Sequence, residues 1–75
     1  MNSDQILKKI AADIKEIREL KGISQQDLAS SCNFEKANMS RIESGRTNFT
    51  ILTLHKISQA LETTISQLVD IEEKA

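Results

Sequence analysis

Ile6, Ile10, Ile14 and Ile17 recur every three or four residues near the start of the chain, with charged positions between them. That spacing lays one apolar stripe along a helix and predicts a helix over residues 4–21. Gly22 ends it, as a residue free to adopt positive φ. Ser24 then caps a second helix over 24–32, with Asp27 three residues on completing only part of a capping box. Leu28, Ala29 and Cys32 of that helix face inward, and Asn33 can take the left-handed turn conformation that glycine would otherwise supply. A third helix is predicted over 36–44 and stops at Gly45. Thr50 caps a fourth over 50–61, whose Ile51, Leu54, Ile57 and Leu61 form the next stripe. Thr64 with Gln67 makes a further capping box and opens a short fifth helix over 65–71, through Leu68 and Ile71. Glu72 to Ala75 are expected to fray.

One pattern repeats across these helix starts. An apolar residue just before each cap matches another inside the helix: Ile23 with Leu28, Phe34 with Met39, Phe49 with Leu54. Such hydrophobic staples fix the angle at which the chain enters a helix, which suits a scaffold that holds one helix at a set pose. The weakest start is that of the third helix, where Glu35 stands at the cap in place of Ser, Thr, Asp or Asn. A carboxylate there still suits the helix dipole.

The chain has no proline, two glycines and 3% aromatic residues. With helical periodicity throughout, this points to an all-α, compact five-helix bundle and argues against an all-β fold. Seventy-five residues make a single domain, 1–75, at most. A domain this small buries only about 60% of the surface its unfolded chain exposes, so a dimer partner is an expected source of added core. Cys32 is the only cysteine, which excludes an internal disulfide or a thiolate zinc site and fits a reducing cytoplasm. No apolar run approaches a membrane span, and Met1 to Asp4 lacks the order of a signal peptide. The expected localisation is cytoplasmic, with no membrane association.

The net charge of −1 weighs against nucleic acid as a partner, but the charge is unevenly placed. The acid excess lies in 62–75, where Glu62, Asp70, Glu72 and Glu73 stand against Lys74 alone. Around the third helix, Lys36, Arg41 and Arg46 stand against Glu43. Screening over roughly 10 Å at 0.1 M salt lets these near charges dominate.

On a helical wheel, Met39 and Ile42 of the third helix point inward. Lys36, Ala37, Ser40, Arg41 and Ser44 fall on the opposite face, with Asn38 at its margin. Arg41 can make a bidentate pair with guanine O6 and N7, Asn38 with adenine N6 and N7, and Ala37 can touch a thymine methyl. Gln25 and Gln26 open the second helix, where backbone N–H groups and an amide side chain suit a phosphate. Arg46, Thr47 and Asn48 follow the third helix and can grip the next phosphates. The competing reading is that a polar face on a short helix is simply solvated. The paired short helices with Ser24-Gln25 at their start favour the DNA-reading one.

Arg18 and Glu43 each lie on a face that otherwise looks inward. They are expected to form a partly buried ion pair tying the first helix to the third, with a structural role. Catalysis finds no support. His55 is the only histidine and is expected at or near the surface, while Cys32 is expected to pack in the core. No Gly-rich phosphate loop, carboxylate pair or metal-ligand cluster is present. No enzyme activity, cofactor, metal or small-molecule ligand is expected.

The run LKGISQQDLASSCNFEKANMSRIESGRTNFTILTLHKISQAL resembles the Cro/repressor-type (Xre) helix-turn-helix family. The resemblance covers about residues 10–70. It rests on Arg18, Ser24-Gln25, Leu28-Ala29, Met39-Ser40, Ile42-Glu43, Gly45 and the stretch from Thr53-Leu54 to Ala60-Leu61. It implies a lambda-repressor-like five-helix domain that binds operator DNA as a two-fold dimer, with the third helix in the major groove. Carried over by position, it implies base contacts at Lys36, Ala37, Ser40 and Arg41, phosphate contacts at Gln25, Arg46, Thr47 and Asn48, and pairing of Arg18 with Glu43. The chain departs from the family pattern at Asn33, where a turn glycine is usual, at Glu35, where a small cap is usual, and at Phe49, where proline is common. The short length implies a stand-alone regulator such as a restriction–modification controller protein, a phage repressor or an antitoxin, with the compact fifth helix most like the controllers.

Leu52 is placed where the fourth helix should face solvent. Ile65, Val69 and Ile71 offer more apolar surface than one small core needs. A self-complementary patch of these residues is the expected homodimer interface, with the two reading helices about 34 Å apart. The sequence thus predicts a transcriptional regulator binding a palindromic double-stranded operator as a homodimer. The alternative is a protein-interaction module that keeps the bundle and has lost DNA binding.

Overall fold

The computed structural model describes residues 1–71. Its regular structure is helical: α1 (Ser3–Leu20), α2 (Gln25–Ser31), α3 (Lys36–Glu43), α4 (Ile51–Ala60) and α5 (Ile65–Leu68). Among the described residues no helix is long and apolar enough to cross a membrane.

The ends of these helices follow from local chemistry. The side chains of Ser24, Thr50 and Thr64 accept hydrogen bonds from the backbone N–H of Asp27, Thr53 and Gln67, the donors that a helix start leaves unpaired. Thr64 and Gln67 complete a reciprocal capping box, whereas the Ser24 cap is one-sided. α1 starts one residue earlier than the periodicity predicts, because Asn2 and Gln5 form a second full capping box. Three helices stop by the same device. The N–H of Ile23, Phe34 and Thr63 reaches back to the carbonyl of Arg18, Ala29 and Ser58, with Gly22, Asn33 and Glu62 at φ of 69°, 59° and 54°. This is the Schellman arrangement, which needs one left-handed residue. Asn33 fills that role as expected; Glu62 does so without a sequence signal.

α5 ends at Leu68, three residues short of the predicted end. Val69 leaves helical geometry at φ −109° and ψ 33°, so Val69 to Ile71 run on outside the helix. The fraying predicted for 72–75 lies outside the described residues.

The core gathers one face from every helix. Ile10 and Ile14 of α1 meet Leu28 and Ala29 of α2, Met39 and Ile42 of α3, Leu54 and Ile57 of α4, and Leu68 of α5, with Cys32 and Leu61 from the helix ends. Ile6 and Ile17 flank this core, as do the staple residues Ile23, Phe34 and Phe49. Each staple partner, Leu28, Met39 and Leu54, is buried. The predicted stripe of α4 fails at one end: Ile51 is 63% exposed. It is the first residue of the helix, and helical side chains lean toward the N-terminus, which carries it past the edge of the core.

α1 packs against α3 and α5, α2 against α3 and α4, and α4 against α5. A charged group of α1 also reaches the interior. Asp13 is buried, with one carboxylate oxygen 2.6 Å from Lys9 Nζ and the other, Oδ2, buried without a hydrogen-bond partner. The Asp13 hydrogen bond raises the Lys9 pKa above its ordinary value.

Candidate nucleic-acid interface

α3 has eight residues, little more than two turns, so its two faces are sharply divided. Met39 is 0% and Ile42 2% exposed. Lys36, Ala37, Asn38, Ser40 and Arg41 are all exposed. The five residues expected to touch bases therefore share the solvent side of one short helix. Glu35 stands at its N-cap without a side-chain cap hydrogen bond. At the other end Ser44 Oγ donates to the Arg41 carbonyl at 2.6 Å, so that hydroxyl closes the helix.

What holds α3 in place is a polar anchor behind it. Arg18 Nε donates to Glu43 Oε2 at 2.8 Å and Nη2 donates to Oε1 at 3.0 Å. The two side chains are only 11% and 4% exposed. The third Arg18 donor, Nη1, reaches the Ile23 carbonyl at 2.8 Å, in the turn between α1 and α2. One guanidinium thus binds the end of α1, the entry to α2 and the end of α3. Its hydrogen bonds to Glu43 hold Arg18 above its already high ordinary pKa. The fork geometry is the form in which a buried pair is best satisfied.

The expected phosphate contacts divide into two groups. Gln25 is half-buried and Gln26 exposed, at the start of α2. The Gln25 amide is already engaged: Nε2 donates to Glu43 Oε1 at 3.3 Å. Arg46 and Asn48 are exposed and Thr47 is half-buried, in the loop after α3. That loop is held close to α1. A Cβ on Gly45, at φ 76°, would stand 3.0 Å from Lys8 Cα and Cγ. Asn48 lines a small cleft with Ser3, Ile6 and Leu7. The turn before α3 is tied to α4, with Lys56 Nζ 5.6 Å from the centre of the Phe34 ring.

Large apolar side chains are exposed at Met1 (54%), at Leu20 at the end of α1 (80%) and as an adjacent pair where α4 begins. Leu52 is 71% and its neighbour Ile51 63% exposed. Ile65, Val69 and Ile71 are half-buried, and Val69 and Ile71 pack against the chain's own core. Part of the apolar surface of Val69 and Ile71 is therefore covered within the subunit, and Ile51 is exposed beside Leu52. His55 is exposed and Cys32 buried, where burial pushes its thiol pKa up.

Sequence reasoning missed the Gln25–Glu43 bond and the Gly45–Lys8 approach, both long-range, and the Asn2 cap, for which Asn2 and Gln5 at capping-box spacing gave a signal.

Known proteins share this architecture. A family model described as HTH_3, Helix-turn-helix, matches residues 14–68. An uncharacterized HTH-type transcriptional regulator of Sinorhizobium fredii, y4dJ, is 31% identical over 62 residues, covering 83% of this chain and 80% of that protein. The restriction–modification controller protein C.AhdI of Aeromonas hydrophila superposes with a TM-score of 0.80 at 27% identity, over 83% of this chain and 94% of that one. The controller protein C.Esp1396I, solved as a tetramer in complex with its natural 35 base-pair operator, gives 0.78 at 35% identity, over 87% and 86%. The chain belongs to the Xre-type helix-turn-helix family of DNA-binding transcriptional regulators, whose members are not enzymes.

Proposed function

We propose that the chain is a sequence-specific regulator that binds a palindromic operator as a homodimer, with α3 in the major groove. The observation that carries this reading is the division of α3. Its apolar side is sealed into the core, and Lys36, Ala37, Asn38, Ser40 and Arg41 are all left free on the other. Arg41 reads guanine and Asn38 adenine, Ala37 meets a thymine methyl, and Lys36 and Ser40 supply further donors. Gln25, Gln26, Arg46, Thr47 and Asn48 set the register on the phosphates. Residues 1–75 act as one domain, in the cytoplasm. Two copies meet through Leu52 with Ile51, extended by Ile65, Val69 and Ile71. Among subtypes, the restriction–modification controllers are favoured by the likeness to C.AhdI and C.Esp1396I over most of each chain.

Salt dependence of binding tests the reading. Neutralising phosphates releases counterions, so the logarithm of the affinity should fall linearly with the logarithm of salt, by about 0.9 per phosphate contacted. A salt-independent interaction, or none, would instead support a protein-interaction module, the reading that the exposed Glu35 beside α3 favours.

A further inference from the structure

We infer that Glu43 is a positioning residue for DNA binding: its Oε1 holds the Gln25 amide so that the second N–H of Nε2 is presented to a backbone phosphate. The inference rests on the reading of Gln25 as a phosphate contact and adds what makes that contact effective. A carboxylate only accepts hydrogen bonds, so only the NH₂ end of the glutamine can face it. The 3.3 Å bond from Nε2 to Oε1 therefore decides which way the amide points and leaves one N–H unspent. Glu43 itself cannot drift, since Arg18 holds both of its oxygens, at 2.8 and 3.0 Å. The guanidinium also neutralises a carboxylate that would otherwise repel a phosphate bound at Gln25.

Gln25 and Gln26 are sequence neighbours with different fates. Gln26 is exposed, and Gln25 is half-buried and tethered. Ordering a free, rotamer-rich side chain on binding costs roughly two- to tenfold in affinity, a cost that a tethered amide has already met on folding. Because Glu43 ends α3, the helix bearing the base-reading face and the phosphate-binding amide share one anchor.

Two measurements decide the matter. In the free protein, side-chain 15N relaxation should give the Gln25 amide an order parameter above about 0.6 and the Gln26 amide one below it; equal values overturn the proposal. On a duplex selected from a random pool, Gln25→Ala should lower affinity about tenfold in the native background. In an Arg18→Met, Glu43→Met background, the same change should lower it less than about twofold. A loss equal in both backgrounds overturns the positioning role and leaves the phosphate contact standing. No loss in the native background removes both. If the double variant does not fold, the relaxation comparison on the native protein still decides whether Gln25 is tethered; if the native chain selects no duplex, the proposal falls together with the reading it rests on.

Discussion

Glu43 Oε2 accepts a hydrogen bond from Arg18 Nε at 2.8 Å, joining residues 25 positions apart in sequence. The pair is the point where α1, the α1–α2 turn and α3 are made one body, because Arg18 also donates to the Ile23 carbonyl. Taking one partner away strands a charge in a site that is 4% exposed on the Glu43 side. Arg18→Ala should therefore lower unfolding free energy by about 3–5 kcal/mol. The double change Arg18→Met, Glu43→Met should cost less than either single truncation to Ala. Urea denaturation of Arg18→Ala, Glu43→Ala and the double change measures this, and a double change that costs as much as either single truncation would contradict it.

Gly22 and Gly45 share positive φ, at 69° and 76°, but differ in their surroundings. A Cβ at Gly22 meets nothing within 4 Å, whereas one at Gly45 lies 3.0 Å from the backbone of Lys8. Gly22→Ala should cost about 1–2 kcal/mol, the left-handed penalty alone. Gly45→Ala should cost clearly more, since α1 must also move away from the loop that carries Arg46 and Asn48. Thermal unfolding should show a larger fall in Tm for Gly45→Ala.

Glu35 caps α3 without a side-chain hydrogen bond. Glu35→Ser supplies one and should stabilise the fold by about 1 kcal/mol. It also removes a negative charge beside the proposed DNA surface, so affinity should rise at low salt. Denaturation and binding of the same variant check both effects.

Burial raises the Cys32 thiol pKa above its ordinary value. The folded protein then keeps the proton more tightly than the unfolded chain. The associated stability is present below the unfolded thiol's pKa, about 8.5, and is lost as pH rises from there through the folded value. Native Cys32 should resist alkylation at pH 8.5, where the thiol of the chain in denaturant reacts quickly; comparable rates would show the site to be open.

The parts of this molecule that sequence declares are those decided within four or five residues. Ser24, Thr50 and Thr64 cap as their spacing implies, and Asn33 takes the left-handed turn. The α3 face follows from helical period alone. Contacts across the chain are less legible. Two charges on inward faces signal the Arg18–Glu43 pair, but nothing local marks Gln25 as the third member. Asp13, three residues after Ile10 and four before Ile17, lies on the apolar side of α1 and is buried beside Lys9. Ile51 belongs to the apolar stripe by period and fails by position, since a first-turn residue overhangs the core. Val69 ends α5 early through backbone geometry that the apolar pattern does not encode.

Selection of bound duplexes from a random pool, run in parallel with the native chain and with Arg41→Ala, tests most directly whether the exposed side of α3 reads DNA. The native chain should return a two-fold symmetric consensus. Arg41→Ala should return the same consensus with preference relaxed at one position per half-site, at a cost of about 1–3 kcal/mol there. Failure of the native chain to enrich any sequence, or an Arg41→Ala consensus indistinguishable from the native one, would contradict the account.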